Sequence, residues 1–249
     1  MTFSLIITVY NNLKGIQVLE KDLNIYKRFF DEIIIIDDHS TDGSWEALKK
    51  CHSKKIIIKQ NIYNSGRPSE PRNLGINLAS KEFITFLDIG DSISEDYLNF
   101  TLNHIRNNKS NIYSGIKTTY KSSSFPHISN KSKPFFINIS KYILNYKNFT
   151  LLSGLTLSLK HARIKKFKKV FFEDWIFVQE LLKENLKCIL VFSPIFYQTG
   201  YTNISKGKVR QISRFNIFER GFLKFILYVF FSVIKYSIEK IFKFLINAK

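Results

Sequence analysis

Four short apolar runs constrain this chain most: Phe3–Val9, Glu32–Ile36, Lys55–Lys59 and Phe83–Leu87. They are continuous rather than alternating, and each is bounded by turn residues. That pattern suits strands buried on both faces of a parallel sheet. The segments between them carry helical spacing. Gly15–Phe30 places Ile16, Leu19, Leu23 and Tyr26 on one face, Trp45–Cys51 follows a cap at Ser44 or Asp42, and Arg72–Ala79 forms a third helix. Strands alternating with helices predict an α/β fold, an open and mostly parallel sheet with helices on both faces.

Ligands of such sheets bind outside the carboxyl ends of the strands. Polar clusters fall there, or just after: Thr8-Val9-Tyr10-Asn11, Asp37-Asp38-His39-Ser40, Asn64-Ser65-Gly66 with Arg72-Asn73 and Gly75, and Asp88-Ile89-Gly90-Asp91. Two carboxylates around a glycine suggest a hard cation and the phosphates it carries. An ordinary Asp/Gly turn would use the same residues.

Beyond Asp91 the pattern changes. Ser94–Arg106 reads as a helix, Ile112–Tyr120 and Leu151–Leu159 as strands, Asp174–Glu184 as a helix and Lys187–Phe192 as a last strand. Lys121–Lys133 is rich in Ser and Lys, contains Pro126, and reads as a loop. From Gly221 the chain is strongly apolar but interrupted by Lys224, Lys235, Glu239, Lys240 and Lys243. Its longest uncharged run, Phe225–Ile234, is too short to cross a hydrocarbon core of about 30 Å as a helix. The basic and apolar mixture suits a helix lying on an anionic membrane surface, or one packed on the core or another subunit.

The formal charge of +18 on 249 residues calls for an anionic partner: nucleic acid, membrane surface or phosphorylated substrate. A general bias toward Lys, Asn, Ile and Phe would also inflate it. No zinc spacing, helix-turn-helix or RNP-like aromatic motif supports nucleic acid. No GxGxxG follows the first strand, which removes the main support for a dinucleotide-dependent oxidoreductase. With only Cys51 and Cys188, no disulfide framework is indicated, and a reducing compartment is expected. The first residues show neither a basic region ahead of an apolar one nor a cleavage site, so the expected location is cytoplasmic.

The order of the clusters resembles the family-2 inverting glycosyltransferases of the GT-A fold, as found in bacterial surface-polysaccharide synthesis. SLIITVYNN resembles the family's first strand, EIIIIDDHSTDGS its second strand and acidic turn, and NSGRPSEPRNLGINLA its Asn-x-Gly…Ala-Arg-Asn-x-Gly segment. FLDIGD stands where the aspartate-rich metal motif is found, and FFEDWIFVQELL where an acidic pair opens the helix of the catalytic base. The likeness covers most of residues 1–205, divided into a nucleotide-binding half (1–100) and an acceptor half (101–205). Residues 206–249 form a separate basic amphipathic tail.

The resemblance implies a nucleotide-diphosphate donor, UDP-linked, with Thr8, Tyr10, Asp37, Asp38, Gly66, Arg72 and Asp88 around the nucleotide. Asp38 corresponds to the acceptor of the uracil N3–H. Asp37 serves the base, the ribose or the turn, and His39 tolerates left-handed geometry where glycine is frequent. The expected cofactor is a divalent metal, Mn²⁺ or Mg²⁺, on Asp88 and Asp91, although Gly90 replaces the second aspartate of Asp-x-Asp. Asp174 corresponds to the catalytic base; Glu173 beside it also fits a helix N-terminus on dipole grounds. Trp175 is either a sugar platform or core, Arg67 adds charge near the phosphates, and Lys206 belongs to a short motif closing over the diphosphate. The acceptor expected is a hydroxyl of a lipid-linked or surface glycan, at the inner face of the cell membrane. Transfer to a polyprenyl phosphate, or sugar-nucleotide binding without turnover, are the alternatives.

Overall fold

The computed structural model describes residues 1–107, 111–120, 135–139, 151–184 and 186–198, with 230, 233, 234, 236 and 237. The expected loop at 121–133 and nearly all of the tail lie outside the described residues.

The elements run β1 (Phe3–Val9), α1 (Leu13–Phe29), β2 (Glu32–Asp37), α2 (Ser44–Leu48), β3 (Ile56–Gln60), α3 (Ser69–Leu78), β4 (Phe83–Asp88) and β5 (Asp91–Ile93). Then come α4 (Glu95–Asn107), β6 (Asn111–Tyr120), β7 (Phe135–Ile139), β8 (Thr156–Ser158), α5 (Leu159–Ile164), α6 (Glu173–Leu182) and β9 (Lys187–Gln198). Strands β3-β2-β1-β4 are parallel neighbours in that order, and the sheet continues through β8, β6, β9 and β5, with β7 on β9.

The strand period of two residues builds two cores. Leu5, Ile7, Val9, Ile33 and Ile35 face α1 and α4, meeting Ile16, Leu19, Tyr26, Tyr97 and Ile105. Ile6, Ile34, Ile36, Ile84 and Phe86 face the opposite layer, meeting Ile76 of α3, Ala162 of α5 and Phe177 and Leu181 of α6. Both faces of the central strands are therefore covered, which is why their sequences do not alternate. α3 lies so close to β1 that a Cβ on Gly75 would come within 2.4 Å of Ile6 Cγ2.

Four elements differ from the sequence expectation. Leu151–Leu159 is a strand only over Thr156–Ser158, because Gly154 turns the chain at φ +86° and the Ser158 hydroxyl accepts from the His161 N–H to start α5. β5 is a three-residue strand made when Gly90, at φ +92°, reverses the chain after β4; such short strands carry no periodicity. α2 is capped by Gly43 in the left-handed region, while Asp42 accepts from the backbone N–H groups of Ser44 (3.0 Å) and Leu13 (3.2 Å). β7 falls in a stretch where no element was expected.

Candidate active site

The chain runs from β1 outward to β2 and β3, then returns to the other side of β1 as β4. The register aligns Thr8 with Asp88 across that switch and Val9 with Asp37 on the outer side. Carboxyl ends that diverge at a switch point leave a crevice. Here it measures about 270 Å³, and its walls include Thr8, Tyr10, Asp38, Gly66, Arg72 and Asp88. Those six are the sequence-derived candidates that the fold brings together. Asn64, Arg67, Pro68 and Pro71 complete one wall.

Asp88 ends β4 and is gripped from two sides. The Thr8 hydroxyl reaches its Oδ1 at 3.4 Å, and Arg72 Nη2 contacts both carboxylate oxygens at 2.9 and 3.2 Å. Nη1 of the same guanidinium donates to Glu173 at 3.0 Å. Arg72 is 4% exposed and lies 5.4 Å from the centre of the Phe167 ring. Burial alone would lower its pKa, but Asp88, Glu173 and Asp174 outweigh that and raise it, so the guanidinium stays charged. One buried cation thus ties the end of β4 to the first turn of α6.

Glu173 and Asp174 open α6 without a capping side chain. Phe172 precedes them in the left-handed region at φ +60°, an uncommon geometry for a bulky residue. The segment leading to them is pinned to α3: the Asn73 amide donates to the Phe167 carbonyl and accepts from its N–H, both at 2.9 Å. Burial raises the pKa of Asp174, helped by Glu173 and Asp88 and opposed by the Trp175 N–H and Arg72. Asp174 is not among the crevice walls, but its electrostatic coupling to Arg72 and Asp88, which are, sets it close to that edge.

Asp38 and Asp37 are adjacent in sequence and differ in role. Asp38 lines the crevice, 4% exposed, and its carboxylate accepts from Asn61 Nδ2 (2.6 Å), the Ser65 N–H (3.1 and 3.2 Å) and the Ser65 hydroxyl (2.7 Å). Its carbonyl accepts from Asn64 Nδ2 at 3.1 Å, so this one residue anchors the loop of residues 61–67. Asp37 is fully buried and turned away from the crevice walls. It accepts from the Ser40 N–H (3.0 Å), the Ser40 hydroxyl (2.5 Å) and Gln60 Nε2 (2.9 Å), so of the three roles expected for it, the turn is the one its contacts serve. His39 holds the left-handed geometry, φ +62°, that its position in the turn required.

Two further expectations change. Trp175 is 3% exposed, with its ring edge-on to Phe172 at 6.3 Å, so it is core and offers no face to a sugar. Asp91 accepts from the Ser153 hydroxyl at 2.5 Å and is not a crevice wall. Ser153 also accepts from the Asp88 N–H at 3.2 Å, a link between the two aspartates that its turn sequence did not signal. Lys206 lies outside the described residues.

The residues present do not fit a resident divalent metal as arranged. Among the described residues no group of three or more His, Cys, Asp and Glu side chains could hold an ion. Asp88 is already bidentate with Arg72, Asp91 is engaged by Ser153, and Gly90 supplies no ligand. A Cβ at Gly90 would also meet Asn12 Nδ2 at 3.2 Å.

Comparison with known proteins agrees with this geometry. An uncharacterized glycosyltransferase of Haemophilus influenzae is 31% identical over 227 residues, covering 83% of this chain and 86% of that protein. A poly(ribitol-phosphate) beta-N-acetylglucosaminyltransferase, TarS, of Staphylococcus aureus is 34% identical over 101 residues, covering 39% of this chain but only 18% of its own length. The crystal structure of S. aureus TarS 1–349 in complex with UDP superposes with a TM-score of 0.65 at 20% identity, over 88% of this chain and 73% of that one. That likeness carries the fold, a GT-A sheet. Residues 4–171, two thirds of the chain, match the family described as Glycosyl transferase family 2, and the chain belongs to that family of glycosyltransferases.

Proposed function

We propose that this glycosyltransferase moves a sugar, with inversion, from a UDP-linked donor to a hydroxyl of a lipid-linked or surface glycan. The observation that carries the reading is the convergence of Thr8, Asp38, Arg72 and Asp88 on one switch-point crevice, joined through Arg72 to the acidic turn bearing Asp174. The complex of TarS with UDP supports a uridine nucleotide as the donor moiety. The relative that acts on poly(ribitol-phosphate) supports a polymeric, anionic acceptor, which the +18 charge of this chain would favour.

In the reaction, Asp174 removes the proton from the acceptor hydroxyl. That oxygen forms a bond to the anomeric carbon from the face opposite the donor phosphate. The bond from carbon to phosphate oxygen breaks, and the diphosphate leaves with the electron pair. Arg72 ties the turn that bears Asp174 to the end of β4 through Glu173 and Asp88, and its charge opposes the rise of the Asp174 pKa that burial produces. Asp38 holds the loop of residues 61–67 against the nucleotide and keeps its crevice edge for the base.

A location at the membrane surface is part of this reading. No helix among the described residues is long and apolar enough to cross a membrane. Among the described tail residues, Phe230, Val233 and Tyr236 are helical and 58–65% exposed, large apolar side chains open to solvent, which supports an interfacial position.

Calorimetric titration with UDP, CDP and GDP, with and without Mn²⁺, tests the proposal. UDP-selective binding is expected. Failure to bind any of the three would remove the donor assignment, and preference for GDP or CDP would replace it.

A further inference from the structure

A leaving diphosphate needs positive charge close to its oxygens. The crevice as described supplies little of it from the expected place. Asp88 is the carboxylate at the end of β4, and Arg72 is committed to it and to Glu173 together. One guanidinium shared by two carboxylates, with Asp174 close by, leaves that end of the crevice with no surplus of positive charge.

The other cationic wall residue is Arg67. Its guanidinium stacks 4.0 Å from the centre of the Phe171 ring, and Nη1 donates to the Val170 carbonyl at 3.4 Å. Its described partners are a ring face and a carbonyl, with no carboxylate among them, so its charge is not neutralised. A guanidinium has five N–H donors in a planar fork, and one long contact leaves most of them for phosphate oxygens. The backbone around it is fixed. Gly66 is left-handed at φ +72°, Pro68 restricts Arg67 to extended geometry, and Ser65 is held by Asp38. Residues 68–72 form the first turns of α3, whose positive end adds to the same field.

We propose that Arg67 is the residue that binds the donor diphosphate and takes up charge as it leaves. This rests on the transferase reading and names the residue that makes the site select a diphosphate over a nucleoside. Because the same guanidinium lies on Phe171, it also joins the nucleotide loop to the segment that leads into Glu173-Asp174. A bound diphosphate is thereby set against the acidic turn from both walls.

The test is titration of the wild-type chain, Arg67→Ala and Arg67→Lys with uridine and with UDP. For Arg67→Ala, UDP affinity is expected to fall about tenfold to a hundredfold, the scale of a charge-assisted hydrogen bond, with uridine affinity unchanged. Lysine, which keeps the charge without the fork, should fall between. Unchanged uridine binding also reports that the variant is folded; Arg67→Gln carries the same comparison if the alanine variant is not. Equal losses for uridine and UDP would mean that Arg67 only shapes the loop, and would overturn the inference. So would undiminished UDP binding. If the wild-type chain binds neither ligand, the transferase reading fails first and this inference with it.

Discussion

Replacing Arg72 with Met removes the cation between Asp88 and Glu173 while keeping an unbranched side chain in the α3 wall. The carboxylates of Asp88 and Glu173 then lose the cation they share, beside Asp174, with no other cation among their described ion pairs. Breaking a fully buried pair costs about 3–5 kcal/mol. Glu173 has a side chain only 14% exposed and bears that penalty, whereas Asp88 is 42% exposed and regains water. The expected loss is therefore smaller, about 2–3 kcal/mol near neutral pH. For a chain of this size that lowers the melting temperature by about 4–12 °C. Arg72 also holds the Asp174 pKa down against burial, so the variant raises it further. A carboxyl whose folded pKa lies above its unfolded value contributes stability below the unfolded pKa and loses it as pH rises through the folded one. The defect must therefore grow with pH. Denaturant unfolding of both proteins at about pH 4.5 and about pH 7 measures it. A loss of the same size at both values would refute the electrostatic account, and a loss under about 0.5 kcal/mol would refute the burial argument.

Three further outcomes are expected. Asp174→Asn should lower turnover by about a hundredfold to ten-thousandfold with UDP affinity nearly intact, and in the unaltered enzyme activity should fall as pH drops through an acid limb above the ordinary aspartate range; undiminished turnover would remove Asp174 as the base. Gly75→Ala should destabilise the fold by about 1–3 kcal/mol, since its Cβ would strike Ile6 at 2.4 Å, and thermal unfolding equal to the parent would contradict the close approach of α3 and β1. Asp38→Asn should weaken UDP binding and speed hydrogen exchange at the Ser65 amide, because an amide nitrogen replaces an acceptor facing Ser65 or Asn61; protection unchanged at Ser65 would show that Asp38 does not anchor the loop.

Much of the architecture of residues 1–100 was legible in the amino-acid order. Continuous Ile-rich runs ending in polar clusters are enough to specify parallel strands and the edge where ligands bind, and the family resemblance singled out Thr8, Asp38, Arg72 and Asp88 from the clusters at that edge. The family pattern added Asp174, which as a local sequence reads only as a helix start. The sequence could not say which of two neighbouring aspartates opens to the crevice. Strand pairing decides that: β2 ends at Asp37, whose side chain turns onto Ser40 and Gln60, and the next residue crosses to the ligand side. Nor could it show that Arg72 bridges partners 16 and 101 residues away. Trp175 was undecided because a tryptophan one residue after an acidic pair can point either way until its helix is docked. What the sequence alone determined is the alternation of buried strands and amphipathic helices, since hydrophobic periodicity is local. Where charge is neutralised and where it remains available, on Arg72 and Arg67 respectively, only the tertiary structure decided, because an ion pair depends on distances that chain order does not contain.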